Sequence, residues 1–177
     1  MEPGARFGAP WGSQVRVVST IIVLVMIAIP VVTLTQKSDP PIPLILVSTL
    51  APLAVVLVSG LFAVRGYVVS GKRLIVERLG GNKRIDLSDL ESIKADPESM
   101  KGSIRIFGNT GVFSITGIFR NRRLGTYTAY ATDRERAVVL RFPKKIIVVT
   151  PDKPQQFIAR LQERLRASGK SVEVLAE

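Results

Sequence analysis

The side chains of this chain that could do chemistry at neutral pH are mostly cations. Lys72 and Arg73 fall together, Arg120, Arg122 and Arg123 make a second group, and Lys144 and Lys145 a third. Clustered Lys and Arg attract anions. Each contributes about 1 kcal/mol near an anionic lipid surface, fading within a Debye length. The same groups suit an acidic protein surface, or a solvated basic face with no ligand. Asp86, Asp89 and Glu91 offer carboxylates for a metal or for proton transfer; turn residues and a helix cap explain them equally well. Gly108-Asn109-Thr110-Gly111 has the glycines of a phosphate loop but lacks a Gly-Lys-Ser/Thr ending, so a hairpin turn is expected there. The chain has no Cys and no His. That excludes a disulfide framework, a Cys/His zinc centre, a thiol nucleophile and a histidine base. The expectation is a non-enzymatic chain with no metal site and no cofactor.

The elements that must position the cations begin with two apolar runs, 17–35 and 42–64, neither holding a charge. At about 1.5 Å per helical residue both reach across a hydrocarbon core of about 30 Å. The first run is longer than the roughly 7–15 residues of a signal-peptide core, and no small-x-small cleavage site follows it. Two spans are therefore expected, joined by the short segment 36–41. Arg6 and Arg16 precede the first run and Arg65, Lys72 and Arg73 follow the second, against Lys37 between them. The positive-inside rule then places both termini in the cytoplasm of a multi-pass plasma-membrane protein. Trp11 and Tyr67 flank the cytoplasmic ends, where amphipathic rings favour the headgroup level. Pro30 and Pro52 read as tolerated kinks, and Ser59 with Ala63 as a weak small-residue contact.

Residues 65–177 form the second unit, after a membrane unit at 1–64. They hold 22 of the 25 Lys and Arg and 12 of the 14 Asp and Glu. Short apolar runs alternate with Gly, Asn and Asp clusters, the texture of about seven antiparallel strands. Gly71-Lys72 and Gly80-Gly81-Asn82 read as hairpin turns. Ser88, with Glu91 three residues on, reads as the cap of a helical turn. Ile104 and Ile106 alternate with Ser103 and Arg105, and Val138, Leu140 and Phe142 with Val139 and Arg141, so each strand should bury one face. Beyond Pro151, the residues Phe157, Ile158, Leu161 and Leu165 recur at helical spacing. Asp152 with Gln155 suggests a capping box, and Pro154 suits the first turn. The period-two strands and terminal amphipathic helix indicate a small barrel or orthogonal sandwich with the helix over one open end.

The ordered set Arg73-Leu74-Ile75-Val76-Glu77-Arg78, Ile85-Asp86-Leu87-Ser88-Asp89-Leu90, Gly117-Ile118-Phe119-Arg120-Asn121, Leu124-Gly125-Thr126-Tyr127 and Ile147-Val148-Val149-Thr150-Pro151-Asp152 resembles the bacterial pleckstrin-homology-like domain family. Members of that family sit behind membrane helices. The resemblance covers roughly residues 67–165. It implies a seven-stranded PH-like barrel closed by a C-terminal helix, and it implies fold more than activity. Inositol-phosphate-binding PH domains carry several cations in a longer first hairpin loop. Lys72 with Arg73 is all this turn offers, which counts against inositol-lipid specificity.

The expected function is a membrane-anchored binding or assembly module at the cytoplasmic face. Its partners would be the bilayer, anionic lipid headgroups, another protein or a second copy. Nucleic acid is disfavoured, because aromatic residues are 6% of the chain and no reading motif is present. The alternative is a subunit of a transport or enzyme complex. That would require an intramembrane ionisable group or a pocket of convergent polar groups.

Overall fold

The computed structural model describes residues 4–35, 40–169 and 172–175. Of the turn expected at 36–41, residues 36–39 lie outside the described residues. Helix α1 (Ser13–Thr35) has 23 residues and α2 (Ile42–Leu61) has 20, enough for about 34 and 30 Å. Both could cross a membrane, and their apolar side chains, such as Ile21, Leu24, Leu46 and Leu57, point outward unburied. The helices pack on each other, with Ser48 and Pro52 of α2 in the seam one turn apart. Inside the helices, Thr33 and Thr49 hydroxyls donate back to the Ile29 and Ile45 carbonyls at 2.9 Å, so these polar groups are paired within the helix itself. Helix α2 ends three residues short of the expected span, because Val64 is taken into a strand. The Ser59/Ala63 pair is thereby split, with Ala63 off the helix.

Four strands form one antiparallel sheet in the order β1 (Ala5–Gly8), β2 (Val64–Ser70), β3 (Arg73–Arg78) and β4 (Lys83–Asp86). Seven more are β5 (Ser92–Ala95), β6 (Ile104–Thr110), β7 (Ile115–Asn121), β8 (Gly125–Ala131), β9 (Val138–Phe142), β10 (Lys145–Val149) and β11 (Glu173–Val174). They form a second sheet in the order β11-β5-β9-β10-β8-β7-β6. Helix α3 (Pro154–Ala167) follows β10. The expected closed barrel of about seven antiparallel strands is therefore corrected in two ways. The two sheets do not join into a closed barrel, and two neighbour pairs, β8 with β10 and β5 with β11, run parallel. The β9–β10 hairpin causes the parallel β8–β10 pair: after β8 the chain turns through Arg134–Arg136 into β9, and β10 returns alongside β8 in the same direction.

The main core lies where β2 and β3 face β9, β10 and α3. Val69, Leu74, Val76, Leu140 and Val149 pack there with Phe157, Ile158, Leu161 and Leu165, the stripe expected on α3. Burying each such side chain is worth about 1.5–3 kcal/mol. Pro154 occupies the first turn of α3 as expected. The capping box does not form, since Lys153 holds the cap position and no side chain bonds there. A second core on the opposite sheet face gathers Ile115, Phe119, Tyr127, Ala131 and Val139 around Val15 of α1. Strand β9 thus buries apolar side chains on both faces, Val138 and Leu140 in one core and Val139 in the other, and only Arg141 is part-exposed.

Strand β6 departs the other way. It is a sheet edge with a bulge between Arg105 and Phe107, and Ile104 and Phe107 are each 75% exposed. The turn expected at 108–111 falls later, at 111–114, because β6 runs on to Thr110. Ser88 caps no helix; its N–H and hydroxyl both donate to Asp86 Oδ1 within a turn. Tyr67 is fully buried rather than at headgroup level. Its hydroxyl donates to the Tyr130 carbonyl at 2.6 Å and accepts the Thr150 N–H at 3.1 Å, tying the two sheets together.

Candidate functional site

The helices enter the β region without a linker. Strand β1 pairs with β2 from Ala5↔Val69 to Gly8↔Gly66, so the chain leaves one strand, runs through both helices and returns to the neighbouring strand. The Gly12 N–H donates to the Thr132 carbonyl at 2.9 Å, and the Gly80 N–H to the Leu61 carbonyl at 2.7 Å. Further along α1, the Ser19 hydroxyl donates to the Gly111 carbonyl at 2.9 Å and accepts the Phe113 N–H at 2.8 Å. Phe113 has φ 61°, a conformation costly for a residue with a side chain. The Ser19 bond and the Trp11 ring, 5.7 Å from that of Phe113, hold it there. Phe7 of β1 and Val15 of α1, both before residue 64, belong to the cores of the β region.

The seven cations singled out from the sequence all sit toward strand ends remote from this junction. Lys72 lies in the β2–β3 turn and Arg73 opens β3; Lys144 lies in the β9–β10 turn and Lys145 opens β10. Arg120 is on β7 rather than in a loop, paired across to Ile104 and Thr126, while Arg122 and Arg123 occupy the β7–β8 turn. At about 3.3 Å per residue, strands of five to seven residues put these turns about 17–23 Å along the strands from the junction. The structure brings two groups together. Arg73 pairs with Asp86 in the β3–β4 ladder, and Asp86 and Asp89 share a shallow ≈350 Å³ depression with Phe142, Lys144 and Lys145. The third group stands on its own turn, and Arg123 is 3.4 Å from Asp96.

The carboxylates beside those cations are poor acid–base candidates. Hydrogen bonds from Ser88, then the charges of Arg73 and Lys145, hold Asp86 below its ordinary range. A general acid at neutral pH needs the opposite shift. Glu91 does not line the depression that Asp86 and Asp89 share.

A larger groove lies at the junction itself, where the two sheets fail to close. Its volume is ≈660 Å³, within the range of about 300–1,000 Å³ typical of small-molecule sites. Val58, Ser59 and Phe62 of the α2 end form one wall, Arg78 of β3 the second, and Phe107, Ile118, Thr128 and Tyr130 of β6–β8 the floor. The floor is shaped by Gly108 and Gly117, at φ 113° and 137°, packed so closely that a Cβ on either would meet the other strand's backbone near 2.2 Å or 2.1 Å. No other residue fits this crossing. The Arg78 guanidinium lies 5.8 Å from the Phe62 ring centroid, and its Nε donates to the Gly81 carbonyl at 3.1 Å. Among the described residues no carboxylate reaches it and its terminal nitrogens bond no protein acceptor. Burial raises the Tyr130 phenol, with the Arg78 charge drawing it part-way back, so it stays a neutral donor at neutral pH. Arg78 was not distinguishable in the sequence from the other cations; only its place beside Phe62 and Tyr130 sets it apart.

The bacterial PH domain family matches residues 65–165. The chain belongs to the bacterial PH domain family. No curated protein and no solved structure matches it. The matched part of this bacterial PH domain protein runs from just inside β2 to the end of the α3 stripe. It includes Arg78 and the whole β6–β8 floor. Strand β1, both apolar helices and the α2 wall of the groove lie outside it. The junction groove is therefore built partly by the PH domain and partly by elements added to it.

Proposed function

We propose that this chain is a membrane-anchored, non-enzymatic bacterial PH module that binds or assembles partners at the cytoplasmic membrane face. One observation carries the reading. Two helices of spanning length, apolar on their outward sides, run directly from β1 and into β2, the first strand of the PH domain, and are bonded to that domain at Gly12, Ser19 and Leu61. Because β1 and β2 are hydrogen-bonded to each other, the two ends of the helical hairpin must emerge on the same side of a bilayer. The cations around both ends support the cytoplasmic side. Such an anchor confines the PH domain to a surface and raises its effective concentration for membrane partners.

The cation pairs Lys72–Arg73 and Lys144–Lys145 then serve an acidic surface in the aqueous phase, with Arg120 and Arg122 as a second patch. Their turns lie farther along the strands than the roughly 10 Å over which a leaflet's charge acts at 0.1 M salt. The test is expression of the full chain in cells. It should resist alkaline extraction, and added protease should cut the PH domain in inverted vesicles but spare it in intact cells. Recovery of the full chain as a soluble monomer without detergent would refute the anchor, and cleavage in intact cells would refute the sidedness.

A further inference from the structure

The junction groove has an amphipathic lining at a definite place: its apolar wall is the last turn of α2. If α2 spans, that turn sits where acyl chains meet headgroups. This inference rests on the anchoring reading and names a ligand for a surface which that reading leaves unassigned. We propose that the groove holds one anionic phospholipid drawn from the adjoining leaflet. Its phosphate sits against the Arg78 guanidinium and the Tyr130 hydroxyl, and part of one acyl chain lies along Val58, Phe62, Phe107 and Ile118.

Three observations converge. Arg78 is half-buried and brings a positive charge with no carboxylate partner among the described residues, so the groove is charge-complementary to an anion. Guanidinium N–H groups match phosphate oxygens and bind them more strongly than neutral donors do. Phe107 and Ile118 remain exposed on the floor although a folded sheet ordinarily covers such side chains, and an acyl chain would cover them. The groove also continues the exposed apolar surface of α2, so if α2 spans, a lipid enters sideways without leaving the bilayer. The volume accommodates a headgroup, glycerol and a short stretch of chain, and the rest of the lipid stays in the leaflet.

The test uses the full chain in mild detergent, stripped of native lipid and titrated with phosphatidylglycerol or phosphatidylcholine, with bound lipid counted by native mass spectrometry. The expected result is one tightly held phosphatidylglycerol per chain and much weaker retention of phosphatidylcholine. Arg78→Gln should weaken phosphatidylglycerol roughly tenfold, the loss of one charge-assisted bond. Ile118→Trp should fill the floor and abolish retention. Lys144→Gln, remote from the groove, should change nothing. Wild-type binding by both groove variants, or equal binding of the two lipids, would overturn the proposal, as would a groove covered by a second copy in a lipid-free dimer. Vesicle flotation of the same variants reads the anchor separately: chains that float but hold no lipid leave the anchor standing and remove the site.

Discussion

Replacing Ser19 with Ala tests whether the helices and the PH domain form one mechanical unit. The hydroxyl is buried and makes two bonds across the junction, donating to the Gly111 carbonyl and accepting the Phe113 N–H. Alanine removes both without changing the helix. A carbonyl can tolerate the loss, but orphaning the part-buried Phe113 N–H costs about 1–3 kcal/mol. The cost falls on a turn already holding Phe113 at positive φ, so it should appear as local opening of 111–114 rather than global unfolding. Taking about 2 kcal/mol, and tenfold per 1.4 kcal/mol, the open population rises about 30-fold. Hydrogen exchange of the peptide carrying Phe113 in the detergent-solubilised full chain should accelerate by that factor. Exchange in α3, on the far core, should not move. Unchanged exchange at Phe113 in a folded Ser19→Ala chain would show that Trp11 and the strand ladder hold the turn by themselves, and the case for a rigid junction through Ser19 would fail.

Phe7→Ala should destabilise the β region by about 3–5 kcal/mol in denaturant titration of the full chain, because the ring is buried edge-on to Phe157 at 5.2 Å. For the same reason a fragment starting at residue 65 should be far less stable than the full chain, as a melting comparison would show. Tyr67→Phe should cost about 1–3 kcal/mol at neutral pH by orphaning the Thr150 N–H. It should also remove a pH dependence. Burial pushes the Tyr67 phenol from its ordinary 10.0 to about 12, so the unfolded chain loses that proton first. Stability from this group is complete below pH 10 and declines as pH rises to 12, by at most about 1.4 kcal/mol per unit; the wild-type minus Tyr67→Phe difference in unfolding midpoint isolates it. Neutralising Lys72, Arg73, Lys144 and Lys145 together should leave alkaline extraction unchanged and abolish salt-sensitive crosslinking to other proteins, measured in native membranes.

Features carried by long or local signals were legible in the sequence. Two uncharged runs announced α1 and α2, Gly71-Lys72 announced the β2–β3 turn, and the spacing of Phe157, Ile158, Leu161 and Leu165 announced α3. Strand β1 was not legible, since four residues with Phe7 as the single large apolar side chain make no alternating pattern; its partner β2 lies beyond both helices. The Ile104/Ile106 alternation misled because periodicity reports that a face could be buried, not that anything lies against it, and β6 is an edge. Strand β9 erred in the opposite sense, because Val139 on its second face joins the core that also holds Val15 of α1 and Met100. The site divided along the same line. Clustered cations are visible as letters, and they proved to sit near turns. Arg78 acquires its meaning from Phe62, sixteen positions earlier, and Tyr130, fifty-two later, which only the fold brings together.

The pairing of β1 with β2 also bears on how the protein is made. The two strands flank the whole helical hairpin, so if the helices span, the β1–β2 ladder cannot form until both legs have crossed. A chain whose second leg failed to cross would strand β1 and β2 in different compartments, leaving Phe7 without its place against Phe157 and an apolar sheet edge open to proteases. If both helices span, the β1–β2 ladder closes only in chains whose two legs have both crossed.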